Sequence, residues 1–352
     1  MNAWGGYFII MDNIYQINVN GTDYDVGPKE VNDFSDANLN IVDEQYNVLA
    51  ELKEGHLRTK NFDSRKICAY EKKYVGKKID LQQRTYDIVS FKTFQGMALH
   101  QSMAIYGKYL VTCNDNEIDT ASAQVFNIET GELIGEVVLE HGNYSRPHCN
   151  VCCFGTEFAP GNTTLPLLYI SQWSYASERG VIAYNIVING SSVTFERKQV
   201  IIPMDIPTNI LGSGSCDWVL DEKGYVWAFA YYLSGSSSIV DGNKEMIAKF
   251  KLPTLSQGAE VMLTESDVLE HFELEMMNVS QDKKYLNGKV YILSGPPGAT
   301  TFRSLRVVDM AKQKIITRLD LNWMTGEPEG LAFYQGKFLF SKGRNELFQI
   351  KV

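Results

Sequence analysis

The chain has 352 residues, 44% hydrophobic and 21% charged, which supplies a sizeable apolar core and is too apolar for disorder. Its 19 Tyr, 17 Phe and 28 Gly favour an all-β fold, because aromatic side chains suit a pleated sheet and glycine suits its corners. A net charge of −9 argues against nucleic acid or an anionic membrane surface as the main partner, and no run approaches the roughly 20 apolar residues of a membrane span.

The start, from Met1 to Asn13, lacks the basic segment and small-residue cleavage site of a secretory signal. Synthesis in the cytoplasm without a signal peptide is expected. Met11 opens a more ordinary segment and marks residues 1–10 as a candidate upstream extension. Two hairpin-like pieces follow, Ile14–Asp25 and Leu39–Leu52, with turns at Asn20-Gly21 and Gln45–Asn47. A small β-rich module over 1–65 is therefore expected ahead of a repeat domain over 66–352. The segment from Ile41 to Ser64 resembles a short module of phage and prophage tail-fibre proteins that precedes a variable, host-directed domain. That resemblance implies attachment to other tail or surface-assembly proteins.

From residue 107 the chain repeats. The anchor is a tight turn followed by an aromatic-rich strand: Gly107-Lys-Tyr-Leu, Gly224-Tyr-Val-Trp, Gly288-Lys-Val-Tyr and Gly336-Lys-Phe-Leu, with Leu165-Pro-Leu-Leu-Tyr-Ile as a variant. Four intervals from Gly107 to Gly336 give about 57 residues per repeat, close to the kelch-like end of the propeller range. Each repeat predicts four strands, as in a propeller blade. The first has Met103–Tyr106, Tyr109–Cys113, Ala123–Ile128 and Leu133–Leu139; the second Cys149–Phe154, Leu167–Gln172, Val181–Ile188 and Val193–Ile202. The third has Asp217–Leu220, Tyr225–Tyr232, Met246–Leu252 and Glu260–Leu263; the fourth Met277–Gln281, Val290–Ser294, Leu305–Asp309 and Lys314–Leu319.

The fifth repeat has only Gly330–Tyr334, Phe338–Lys342 and Leu347–Val352. The run Arg84–Phe91 is free to supply the missing outer strand and close the ring, removing open sheet edges. The expected architecture is a five-bladed β-propeller with 3+1 strand closure. A β-sandwich, or six blades with one degenerate copy, is the alternative.

In a propeller the inner strands line a central channel, so their starts converge on one funnel. Those positions hold His100, Gln101, His148, Asn150, Asp217, Trp218, Glu327 and Glu329. Such a set presents donors and acceptors that fit sugar hydroxyls, with Trp218 and the nearby Trp173, Tyr175 and Trp323 as stacking faces. The competing reading is that these groups satisfy one another and order water.

The Gln-Ser-Met-Ala-Ile run before Gly107-Lys-Tyr-Leu, the His-Gly-Asn at 141–143 and the closing Glu-Pro-Glu-Gly-Leu resemble the five-bladed receptor-binding propellers of tailed phages and their helveticin-like bacterial relatives. The likeness is one of blade pattern across most of residues 90–352, with the cysteine-rich second blade as its departure. It implies a receptor-binding protein of a virion tail or cell surface that recognises a bacterial surface glycan or polysaccharide without catalysis.

Other chemistries leave weaker traces. His141, His148, Cys149, Cys152 and Cys153 contain a Cys-x-x-Cys beside histidines, but on one strand residues 149 and 152 point to opposite faces, so no metal is expected. The six cysteines read as free thiols. Asp217, Glu327 and Glu329 make a carboxylate trio conceivable, and a glycoside hydrolase is the alternative function; a structural component that only binds proteins is the third. No Walker loop, dinucleotide fingerprint or Gly-x-Ser-x-Gly elbow occurs, so no cofactor is expected.

Overall fold

In the computed structural model of the chain, side chains are described for residues 88–115, 120–142, 148–172, 179–231, 244–274, 280–295, 303–319, 321, 327–341 and 344–350. The backbone alone is described for the strands before residue 88 and for residues 232, 275, 320 and 351.

The first six strands are β1 (Gly6–Met11), β2 (Ile14–Val19), β3 (Thr22–Val26), β4 (Leu39–Val42), β5 (Val48–Lys53) and β6 (His56–Thr59). They form one sheet in the order β3-β2-β1-β4-β5-β6, in which β1 and β4 run parallel. Both expected hairpins are present, while their turns at Asn20-Gly21 and Gln45–Asn47 lie outside the described residues. The strand β1, within the segment read as an extension, is paired on both sides.

Next comes a long hairpin of β7 (Lys66–Val75) and β8 (Lys78–Thr93). Blade one then holds β9 (Ser102–Tyr106), β10 (Tyr109–Asp115), β11 (Ala121–Asn127) and β12 (Leu133–Val138). Blade two holds β13 (Cys152–Phe154), β14 (Leu168–Ser171), β15 (Val181–Asn189) and β16 (Ser192–Pro203), followed by the short helix α1 (Thr208–Leu211). Blade three is β17 (Cys216–Leu220), β18 (Tyr225–Tyr232), β19 (Lys244–Lys251) and, after β20 (Glu260–Leu263), β21 (Glu270–Glu275). Blade four is β22 (Ser280–Leu286), β23 (Lys289–Ser294), β24 (Ser304–Asp309) and β25 (Lys314–Asp320); blade five is β26 (Glu329–Tyr334), β27 (Lys337–Ser341) and β28 (Glu346–Lys351).

The fold is a five-bladed β-propeller. Adjacent inner strands touch in the cyclic order β9, β13, β17, β22, β26 and back to β9. The anchoring turns follow from glycine: Gly107, Gly224, Gly288 and Gly336 all have positive φ, a conformation costly for other residues. The core lies as wedges between blades. Leu293, Leu305, Leu331, Phe340 and Ile350 join blades four and five, and Phe94, Met103, Leu110, Phe126 and Leu339 join blades five and one.

Closure follows the expected 3+1 scheme. β8 is the outer strand of blade five, antiparallel to β28, with Ile88 opposite Ile350 and Val89 opposite Gln349. The same β8 pairs with β7, and β7 reaches β25 through Arg318 opposite Tyr70, so blades four and five share one nine-stranded sheet.

Two strand assignments are corrected. Glu260–Leu263 is not the outer strand of blade three; it lies parallel to β16 as a fifth strand on blade two. The place belongs to β21, whose Phe272 and Leu274 are buried, whereas β20 buries only Leu263. A 3₁₀ turn at Leu255–Gln257, capped by Thr254 and Gln257, carries the chain across to blade two, and a second at Glu265–Asp267 brings it back. The inner strand of blade four runs on past Gln281 to Leu286, through the polar tetrad Gln281-Asp-Lys-Lys284, while its expected start at 277–279 lies outside the described residues.

Candidate functional site

The residues just before and at the inner-strand starts occupy one end of the ring. His100 precedes β9 and is buried. Its Nδ1 lies 3.2 Å from the Ala98 carbonyl and its Nε2 2.9 Å from Ser341 Oγ, which in turn donates to the Glu329 carbonyl at 2.6 Å. Burial lowers its pKa to about 4, leaving a neutral imidazole at neutral pH. Gly330 makes this approach possible: its φ is +52° and a Cβ there would sit 2.7 Å from His100 Nε2. Gln101 is half-buried, and its backbone joins blades one and five by accepting from the Gly330 N–H at 3.4 Å.

His148 precedes β13 with its side chain 28% exposed and Nδ1 2.5 Å from Asp115 Oδ2. Asn150 is buried and donates to the Ser280 carbonyl at 3.2 Å and to Asp217 Oδ2 at 3.4 Å. Asp217, on β17, carries the Lys283 ammonium on the same oxygen. Glu327 is half-buried and accepts from Gln281 Nε2 on Oε1. Glu329 is buried, and its carboxyl is hydrogen-bonded to that of Glu327. Burial, and then the charges of Glu327 and Asp282, raise the Glu329 pKa well above the carboxylate range; burial also raises that of Glu327.

Trp218 departs from the expectation. It has no exposed surface, donates from Nε1 to the Arg179 carbonyl at 2.8 Å and packs 5.9 Å from Phe250 in the core. It offers no stacking face to a ligand, because on β17 its side chain points between blades while its neighbour Asp217 points to the channel. Trp173, Tyr175 and Trp323 lie outside the described residues.

The sequence reading missed the ionic floor beneath these groups. Lys283 on β22 is fully buried between Asp217 and Glu245, with Nζ 3.7 Å from Glu245 Oε1 and 2.5 Å from Ser280 Oγ. Burial alone would lower its pKa, but the carboxylates of Asp217 and Glu245 outweigh that and hold the ammonium charged. Arg306 reaches Glu245 Oε2 at 3.5 Å and Ser294 Oγ at 3.1 Å. Asp282 is paired with Lys284, and its Oδ2 accepts from the backbone N–H of Leu331 at 2.7 Å and of Met103 at 3.3 Å. It thereby ties blade four to blades five and one, and burial raises its pKa to about 6. A run such as Gln-Asp-Lys-Lys reads as a solvated turn; its place directly before the Gly288 anchor was the available signal for an inner strand.

Cys113, Cys149, Cys152, Cys153 and Cys216 are buried and in no disulfide, and the side chain of Cys68 lies outside the described residues. The expected opposition of residues 149 and 152 along one strand is corrected. Cys149 lies before β13 with φ +65°, and the neighbouring Cys152, then burial, push the Cys113 thiol well above its ordinary pKa. Among the described residues no group of three His, Cys, Asp or Glu is placed to hold a metal ion.

Chemically, this arrangement is poor in reactive pairs. Acid and base groups that cleave a glycosidic bond stand roughly 5–9.5 Å apart to admit the sugar or a water, whereas Glu327 and Glu329 touch. Ser341 and His100 approach as a nucleophile and base would, but both are buried, and Nδ1 meets a carbonyl rather than an orienting carboxylate.

What fold and site define is a five-bladed β-propeller whose inner strands carry a buried set of paired charges. It has a distant structural similarity to the tail fibre of Staphylococcus aureus phage P68, with 11% identity and a TM-score of 0.42 over 75% of this chain and 52% of that one. It is also similar to hydrazine synthase of Kuenenia stuttgartiensis, with 11% identity and a TM-score of 0.37 over 96% and 73% of the two chains. The computationally designed Ika8 protein gives 11% identity and a TM-score of 0.31 over 98% and 94%. No protein-family model and no curated protein matches the sequence. Among the described residues no helix is long and apolar enough to cross a membrane.

Proposed function

We propose that the protein is a non-catalytic receptor-binding protein of phage or prophage tail origin, whose propeller recognises a bacterial surface glycan. The observation that carries this reading is the layering of the funnel. Its partly exposed groups, Gln101, the His148–Asp115 pair and Glu327, are donors and acceptors. They stand over buried ions that neutralise one another and so hold the funnel rigid without presenting a reactive centre. The touching carboxyls of Glu327 and Glu329 weigh against the glycosidase alternative. The likeness of Ile41–Ser64 to tail-fibre modules supports a place in a virion tail or on a cell surface, attached to other assembly proteins through residues 1–65.

The test is a glycan array followed by mass analysis of every sugar that binds. Gln101→Ala and His148→Ala should each weaken binding about tenfold or more, as expected when a hydrogen-bonding partner is deleted from a polar site, while Gln101→Ala keeps the parent's melting temperature. Sugar release by the parent would overturn the reading in favour of the glycosidase. Absence of any glycan bound would favour a structural tail component.

A further inference from the structure

We propose that two copies of the chain associate through the free edge of β8, paired antiparallel about a two-fold axis at Gln82. β8 runs unbroken from Lys78 to Thr93, but its two sides are covered unequally. On one side β7 covers it from Lys78, opposite Val75, to Asp87, opposite Lys66. On the other side β28 covers only Asp87 to Thr93, with Lys351 opposite Asp87. Because β8 lies between β7 and β28 in the sheet, its stretch from Lys78 to Tyr86 turns toward the β28 side an edge that meets no strand among the described residues.

Such an edge leaves the N–H and C=O groups of alternate residues without ladder partners, which makes it a template for another strand. The usual protections are missing, since no proline occurs between Lys78 and Tyr86 and no bulge interrupts the β7–β8 register. The other outer edges of the propeller differ. β12 carries a register shift opposite Val125 and Phe126, a device that turns an edge away from pairing. β21 sets Glu270, Glu273 and Glu275 along its length, and β16 is already covered by β20.

The occupant is a second copy because β8 is complementary to itself. Asp80, Gln82 and Arg84 fall on one face of the strand by alternation. With Gln82 opposite Gln82 of the other copy, Asp80 of each copy stands opposite Arg84 of the other, and the symmetry makes this pair twice. Leu81 then meets Gln83, and Ile79 meets Thr85. Centring the pairing on Asp80 or on Arg84 would set like charges directly opposite, so charge selects the register. Pairing from Ile79 to Thr85 stops short of Asp87, where β28 begins to cover β8; the second copy fills the lane that β28 leaves.

The experiment is sedimentation velocity on the full chain across a concentration series. A species of 39.7 kDa should pass to one of twice that mass as concentration rises. Arg84→Asp sets a like charge against Asp80 of the other copy and should weaken association about tenfold or more. The variant should keep the parent's melting temperature, since position 84 stands opposite Ala69 in its own hairpin. Asp80→Arg combined with Arg84→Asp restores opposite charges across the axis and should restore the dimer. Hydrogen exchange locates the contact without any substitution: amides from Ile79 to Thr85 should gain protection as the chain is concentrated. A chain that stays monomeric throughout the series, or a dimer that Arg84→Asp leaves intact, would overturn the proposal. So would protection of residues 79–85 that is independent of concentration, the mark of a segment of the same chain filling the lane.

Discussion

Lys283 illustrates how strongly single side chains are bound to their context. It has no exposed surface, and its charge is balanced by Asp217 and Glu245. Lys283→Met would strand two buried carboxylates and should cost about 3–5 kcal/mol in urea unfolding, while Lys283→Met combined with Asp217→Asn should recover part of it. Glu329 gives a pH signature. Its folded pKa is raised, so between an unfolded value of about 4.3 and that raised value the folded chain holds the extra proton, and stability falls as pH rises through the window. Glu329→Gln has no such proton to lose. Calorimetry from pH 4 to 8 should show the variant gaining on the parent as pH rises, with the difference vanishing at the acid end. His100, lowered to about 4, contributes the opposite slope, stability lost as pH falls from about 6.5, but equally in both chains, so the difference reports Glu329 together with the Glu327 carboxyl coupled to it. Asp217 and Glu329 were legible as candidates from their places at strand starts; that Trp218 turns into the core was not, because one position along a strand reverses the face.

At the scale of elements, β20 and β21 show why the repeat alone did not settle the outer strand of blade three. Both follow β19 and both carry apolar residues, and the packing separates them. Leu274 on β21 is buried, whereas Met262 on β20 is 37% exposed. Leu274→Ala should cost about 2–4 kcal/mol and Met262→Ala within about 0.5 kcal/mol, measured by chemical denaturation. Equal effects would restore β20 as the structural strand. β22 is the reverse case, a strand whose inner part, Gln281 to Lys284, is polar yet buried. Hydropathy misplaces it because a propeller's inner strand faces ionic partners on neighbouring blades as much as apolar ones.

For the whole molecule, closure is the decisive contact. β8 reaches β28 from the other end of the repeat domain and leaves blade five without an open edge. Deleting residues 346–352 exposes that edge together with the buried faces of Leu331, Phe340 and Ile88. The truncated chain should melt at a lower temperature and over a broader range by calorimetry; a melt like the parent's would show that the ring is not held by this strand.

The sequence by itself determined the blade count, the turn anchors and the strand that closes the ring, since each rests on local signals: glycine where φ is positive, alternation within a strand, and an unused strand upstream to fill a missing one. Tertiary structure alone decided which outer strand blade three keeps, that Lys283, Arg306 and Asp282 are buried and paired, and that burial raises the pKa of Glu327 and Glu329. Those outcomes depend on what faces a residue from another blade, across separations in sequence that no local pattern encodes, and on burial, which turns an ordinary charged side chain into a paired one.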